Sequence, residues 1–369
     1  MLDGIDTPTL LLDKQRCLLN IERMVAKAQI AGVRLRPHFK THQSRLVGSW
    51  FRQAGIQQIA TSSLSMARYF MEDGWRDITV AFPVNLLEAD RIRYLSRHCR
   101  LQLLALDPDV IRQLDSVVEN EVGLFLKIDV GTRRTGIAAQ DHPAIERCLE
   151  ALAACKHLVW HGFLAHAGHT YGARNLEEIR EIYLETTRPL LALKQRYHEW
   201  APGIGISFGD TPSCTAMARF EGIDELRPGN FVFYDCMQEQ IGVCNLDEIA
   251  VAMACPVVAV HADRREVIVY GGGIHFGKDA ILAANGARHF GIAVAPGEET
   301  WSVNGSDTVL KALSQEHGVV SMPQGIPDGL RPGSVLLFLP VHSCMTAQCM
   351  GSYTVIPGGS TADHFAGVC

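Results

Sequence analysis

The chain has 369 residues, 47% hydrophobic and 20% charged, which supplies apolar material for a large core and a length that accommodates two domains. A net charge of −6, with Lys and Arg scattered singly, gives no basic field for a polyanion and excludes nucleic acid as a partner class. No run approaches the roughly 20 apolar residues of a membrane helix, and Met1-Leu2-Asp3-Gly4-Ile5-Asp6 lacks the order of a signal peptide, so a soluble cytoplasmic protein with no membrane partner is expected. The eleven cysteines are odd in number and form no Cys-x-x-Cys pair, which argues against a disulfide framework and a zinc ribbon.

The first strand-like run, Pro8–Leu12, precedes a helix and is expected to pair with the second domain. From about Gly32 to Asp235, short β-rich runs alternate with longer amphipathic stretches, the pattern of repeated βα units on a parallel sheet. Candidate strands are Val33–Pro37, Gln58–Thr61, Ile78–Phe82, Leu101–Leu106, Val122–Asp129, Leu158–Ala165, Ile204–Phe208 and Phe231–Tyr234. Helical stretches between them include Leu64–Glu72, Ala144–Cys155 and Leu176–Trp200. Eight strands suit a closed (β/α)8 barrel; one strand fewer would leave an open doubly wound sheet. After Asn245 the rhythm changes. Val257–Val260, Glu266–Val269, Gly291–Val294, Ser334–Leu339 and Tyr353–Ile356 are divided by Gly, Pro, Asn and Asp, and predict a mostly antiparallel β domain. The expected division is an α/β barrel over 14–245 and a β domain over 246–369, joined by residues 1–13.

In a parallel barrel, functional residues lie at the C-terminal ends of strands. Lys40 follows the first strand beside Pro37 and Phe39, a setting expected to desolvate its ammonium and favour a nucleophile. A lone lysine after a strand is otherwise a solvated surface residue, but Arg36, His38 and His42 are costly company without a purpose. Gly131 to Gly136, with Arg133 and Arg134, could grip an anion or form a solvated salt-bridged loop. His161, His166, His169 and Tyr171 follow the sixth strand. Gly209-Asp210-Thr211-Pro212-Ser213 and Arg227-Pro228-Gly229-Asn230 are either ordinary turns or phosphate cradles on the seventh and eighth units. In the second half, His342-Ser343-Cys344 places imidazole and thiol two residues apart. On a strand both would face one side and could hold one metal ion, although such a pair also occurs as plain packing. Gln315-Glu316-His317-Gly318 offers a further ligand or proton-transfer group.

Taken together, Asp6-Thr7-Pro8, Arg36-Pro37-His38-x-Lys40-Thr41-His42, Asp129-x-Gly131-x-x-Arg134-x-Gly136, His166-x-Gly168-His169-x-Tyr171, Gly209-x-Thr211-Pro212-Ser213, Arg227-Pro228-Gly229-Asn230, Glu316-His317-Gly318 and His342-Ser343-Cys344 resemble the D-threonine aldolase and D-serine dehydratase family. The resemblance spans nearly the whole chain. It implies a fold-type III, alanine racemase-like barrel binding pyridoxal 5′-phosphate (PLP), with Lys40 carrying the cofactor as a Schiff base. It further implies Arg134 near the phenolic oxygen, His166 beside the ring, Tyr171 near the pyridine nitrogen, and phosphate contacts from Gly209, Thr211, Gly229 and Asn230. A divalent metal, zinc first and manganese or magnesium as alternatives, would bind His342 and Cys344, and His317 would serve as a catalytic group. The family's sites lie where barrel and β domain meet, commonly in a head-to-tail homodimer.

The function this implies is a PLP- and metal-dependent lyase on small D-β-hydroxy amino acids, of aldolase or dehydratase outcome. A PLP-dependent amino-acid racemase and a noncatalytic PLP-binding protein are the rival readings. Two departures bear on substrate preference. Asp210 stands where many relatives carry Ser, and Gly271–Asp279 replaces a more usual Asp-Ala-Gly start.

Overall fold

In the computed structural model, which describes residues 2–201, 203–283, 286–303, 305 and 307–367, the chain divides into two compact units. Glu22–Gly229 forms one, and the residues up to Ile21 together with Asn230–Ala366 form the other.

The first unit is an eight-stranded parallel barrel. Its strands are Arg34–Leu35, Gln58–Thr61, Asp77–Pro83, Arg100–Ala105, Val122–Asp129, Leu158–Ala165, Gly205–Phe208 and Glu225–Leu226; the second to the eighth pair in sequence order, and the eighth pairs with the first. The ring closes through a parallel bridge between His38 and Ala60, where Phe39 N–H donates to Ala60 O at 2.9 Å. Seven strands fall where the sequence rhythm puts them, and the eighth does not. Phe231–Tyr234 is apolar and buried, yet Asn230–Val232 is a 3-10 turn, and the strand is the shorter Glu225–Leu226. A short buried apolar run carries no period that separates strand from turn.

Alternation along Val122–Asp129 explains the layers. Leu124, Leu126 and Ile128 share one face, while Gly123, Phe125 and Lys127 share the other, where Phe125 packs with Leu104 and Leu164. The interior also carries a buried polar chain. Arg36 Nε donates to Glu225 Oε2 at 2.8 Å, its Nη1 lies 2.5 Å from Asp77 Oδ1, and Ser207 Oγ donates to Glu225 Oε1 at 2.6 Å. Arg227 Nε donates to Ser207 Oγ at 2.6 Å and its Nη2 to Ala165 O at 2.6 Å. Each charge taken from water here is met by a partner, the condition under which burial is tolerated.

The second unit is built on antiparallel strands. Glu266–Tyr270, His317–Ser321, Val309–Leu313, Gly291–Pro296, Val335–Pro340 and Val251–His261 pair in that order, and the last pairs again with the first. Thr9–Asp13 adds to Val251–His261 antiparallel and to Tyr353–Ile356 parallel. The five strand-like runs read in this half are all present. Val309–Leu313 and His317–Ser321 were invisible because Lys311, Ser314–Glu316 and Gly318 break their apolar alternation. Among the described residues, no helix is long and apolar enough to cross a membrane.

Candidate active site

Two groups of residues carry chemistry, one in each unit. In the barrel, Phe39 is fully buried against Phe51, Phe70 and Trp75, with ring centroids 4.9–5.1 Å apart, and this anchor fixes the loop after the first strand. His42 belongs to the same aromatic cluster, 4.4 Å from Phe39, and its Nδ1 accepts from Ser44 N–H, so its role is to brace the loop. Lys40 projects from this anchored loop with its side chain exposed, contrary to the desolvated setting expected from Pro37 and Phe39. The loop buries the rings of Phe39 and His42 on either side of it, while Lys40 stays near enough to the imidazoles of His38 and His166 for its charge to act on both.

The neighbours of Lys40 are cationic or imidazole. Burial first, then the charges of Lys40 and Arg227, push His38 well below its ordinary value. Burial, Lys40, Arg227 and Arg134 hold His166 down at about 3, while its Nδ1 meets the carbonyl of Gly209. Burial also lowers Arg227, to about 10. Arg134 is exposed on a loop tied to His166 through Thr132 Oγ1, which donates to His166 O at 3.1 Å. Tyr171 stands with its ring 6.4 Å from that of His166, and its hydroxyl accepts from Thr211 N–H at 3.2 Å.

The two glycine turns lie against this cluster. A Cβ at Gly209 would come within 2.7 Å of Arg227 O, and one at Gly229 within 2.8 Å of His38 O, so neither position has room for a side chain. Asp210, the departure from the usual serine, turns into the protein. It caps Thr211–Ala216 by accepting from Ser213 N–H at 2.6 Å and accepts from Thr170 Oγ1 at 3.0 Å. A concentration of positive groups between two turns that exclude side chains fits an anionic, phosphate-bearing cofactor.

In the second unit, His342 and Cys344 are not strand neighbours. The strand Val335–Pro340 ends at its proline, His342 caps the helix Ser343–Met350, and Cys344 lies in that helix's first turn. They still meet, because His342 hydrogen-bonds the Cys344 side chain. Asp279 Oδ2 lies 2.6 Å from His342 Nδ1. Burial opposes charge on this imidazole, but Cys344, Asp235 and Asp279 outweigh it and raise His342 to about 10. The thiol is placed by a buried lattice. Asn230 Nδ2 donates to Asp235 Oδ2 at 2.7 Å, to Ser343 Oγ at 3.0 Å and to Cys344 Sγ at 3.5 Å, and Ser343 N–H donates to Asp235 Oδ2 at 3.0 Å. Asn230 Oδ1 is buried with no partner among the described residues.

A place that stabilises a cation between imidazole and thiol fits a divalent metal with nitrogen and sulfur ligands. Among the described residues, no third His, Cys, Asp or Glu completes a metal-binding group with these two. His317 is exposed on its strand, with Ser314 N–H donating to its carbonyl at 2.8 Å. Sequence reading named His38 and Arg227 only as members of their motifs, without a role, and missed Asp235 and Asp279 as partners of His342. His38 and Arg227 carried local signals, the Arg-Pro-His-x-Lys run and the Arg-Pro-Gly turn.

Comparison with known proteins places both groups in context. Residues 12–236 match the family described as "Alanine racemase, N-terminal domain", and residues 250–356 match that described as "Putative serine dehydratase domain". D-threo-3-hydroxyaspartate dehydratase from Delftia sp. HT23 is 29% identical, over 95% of this chain and 94% of its own. Its solved structure superposes with a TM-score of 0.89 over 99% of both chains at 26% identity. That enzyme has also been solved as a cysteine-to-alanine variant in the metal-free form and as a histidine-to-alanine variant, the two positions lying two residues apart. D-serine dehydratase of Dictyostelium discoideum is 25% identical over 96% of this chain and 94% of its own. D-threonine aldolase of Arthrobacter sp is 24% identical over 97% and 91%.

Proposed function

We propose, from the premise that the chain belongs to the alanine racemase N-terminal domain family, that it is a PLP- and metal-dependent lyase that dehydrates D-β-hydroxy amino acids to 2-oxo acids and ammonia. The observation that carries it is Lys40 at the end of the first barrel strand, among His38, His166, Arg134 and Arg227 and between two turns with no room for a Cβ.

Lys40 would hold the cofactor, Gly209, Thr211, Gly229 and Asn230 its phosphate, and Arg134, His166 and Tyr171 its ring and substituents. When bound, PLP supplies an electron sink for bond breaking at Cα. The Lys40 amine would also serve as the base that takes the α-proton. The neutral imidazoles of His38 and His166 pack beside it without adding charge. His342 and Cys344 would hold a divalent metal, zinc by donor type, that supplies Lewis acidity to the leaving hydroxyl. His317 is assigned to proton transfer at that hydroxyl.

Dehydration is favoured over aldol cleavage by the serine dehydratase description of the second half, and the His-x-Cys spacing is also that of the two varied positions in the hydroxyaspartate dehydratase, one of whose variants is metal-free. A racemase needs no metal pair, and residues 250–356 match a serine dehydratase description. A cytoplasmic homodimer belongs to the same reading.

The test is product analysis with the PLP- and zinc-loaded protein on D-serine, D-threonine and D-threo-3-hydroxyaspartate. Release of a 2-oxo acid and ammonia, abolished by chelator, is the expected result. Glycine and an aldehyde would make it an aldolase, racemisation that survives chelator would make it a racemase, and no turnover of any of these substrates would sink the reading.

A further inference from the structure

The Gly271–Asp279 segment, where this chain departs from its relatives' pattern, runs onto the helix that begins at the metal pair. Thr346 Oγ1 donates to Phe276 O at 2.9 Å, and Gly277, at φ +82°, lets the segment pass so close that an added Cβ would stand 3.3 Å from Met345 Cβ. This docking delivers Asp279, whose Oδ2 lies 2.6 Å from His342 Nδ1, at a sequence separation of 63 residues. Asp279 is half-exposed, and the docking of its segment on the helix, not burial of the pair, brings its carboxylate within charge-assisted hydrogen-bond distance of the imidazole.

We propose that Asp279 is a positioning residue for the metal: it accepts the Nδ1 proton of His342 and so presents Nε2 as the ligating nitrogen, with the ring plane fixed. A carboxylate on the far nitrogen of a ligating histidine selects the tautomer and raises ligand basicity, and losing such a partner weakens metal affinity 10- to 100-fold as an order of magnitude. The inference rests on the metal reading of His342 and Cys344 given above. It adds that the departing segment contributes to metal retention and need not touch substrate.

The experiment uses PLP-loaded full-length protein titrated with zinc against a chromophoric chelator. Parallel titrations use cobalt(II), whose visible absorption reports ligand geometry. Asp279→Ala should weaken zinc about 10- to 100-fold and alter the cobalt spectrum. Asp279→Asn, which retains an acceptor without the charge, should fall between Ala and the parent. Visible absorption from the lysine-bound cofactor and the melting temperature should stay at parental values, which separates a metal-side role from a general loss of structure. Parental zinc affinity and an unchanged cobalt spectrum in Asp279→Ala, with His342→Ala defective, would overturn the positioning role alone. No zinc binding by the parent would overturn the metal reading and this inference together.

Discussion

The two sites are held by different physics. The barrel group is formed by backbone: turns after parallel strands pack so tightly that Gly209 and Gly229 have no space for a Cβ, and burial, with the charges of Lys40, Arg227 and Arg134 added to it, keeps His166 neutral down to about 3. The β-domain group is formed by side chains that favour a charged imidazole, with Cys344 first and then Asp235 and Asp279 raising His342 against its burial. One place is poised for an anion and the other for a cation. A chain with both can hold a phosphorylated cofactor and a Lewis acid without either site competing for the other's ligand.

The sharpest way to break this contrast is at the lysine. Lys40→Ala should abolish the visible band of the bound cofactor and lower turnover on the order of 10³-fold or more, as loss of a nucleophile does, while zinc binding persists. Conversely, His342→Ala should lose zinc binding and about 100-fold or more in turnover, with the cofactor band intact. If either variant lost both ligands, the two sites would not be independent.

Gly229→Ala tests the cradle. Overpacking against His38 O should cost about 1–3 kcal/mol of stability, read as a lowered melting temperature, and should weaken cofactor binding with zinc affinity unchanged.

A smaller effect is a pH slope. The folded apoprotein keeps His166 neutral down to about 3, whereas the unfolded chain takes up a proton near the ordinary value of 6.5. The unfolded state therefore binds more protons between these values, and stability falls as the pH drops below about 6.5. Denaturant midpoints from pH 7 to 4 should show that decline, and His166→Gln should flatten it. The smallest change is expected for Asp210→Asn, since Asn caps a helix about as well as Asp. Near-parental cofactor affinity there would establish that the carboxylate serves the helix and not the phosphate.

Lys40, the glycine turns and the His342-Ser343-Cys344 triplet were legible because each lies in a short contiguous motif. Asp279 and Asp235 were not. Asp279 reaches His342 across 63 residues and Asn230 reaches Ser343 across 113, and nothing local in Gly277-Lys278-Asp279 announces that meeting. The strand geometry read for His342 and Cys344 failed for a related reason. Whether the chain after Pro340 continues as strand or starts a helix depends on packing, here including the seat of Thr346 on Phe276 O.

By itself, then, the sequence determined the barrel's repeat, the β character of the second half and the residue types able to hold a cofactor and a metal, because period, turn chemistry and motif spacing are local properties. Tertiary structure alone decided that the eighth strand is Glu225–Leu226, that Asp210 meets Thr170, and that Asp279 stands behind His342. Those outcomes depend on which distant groups satisfy a buried donor or acceptor, and that choice is made only when the chain closes on itself.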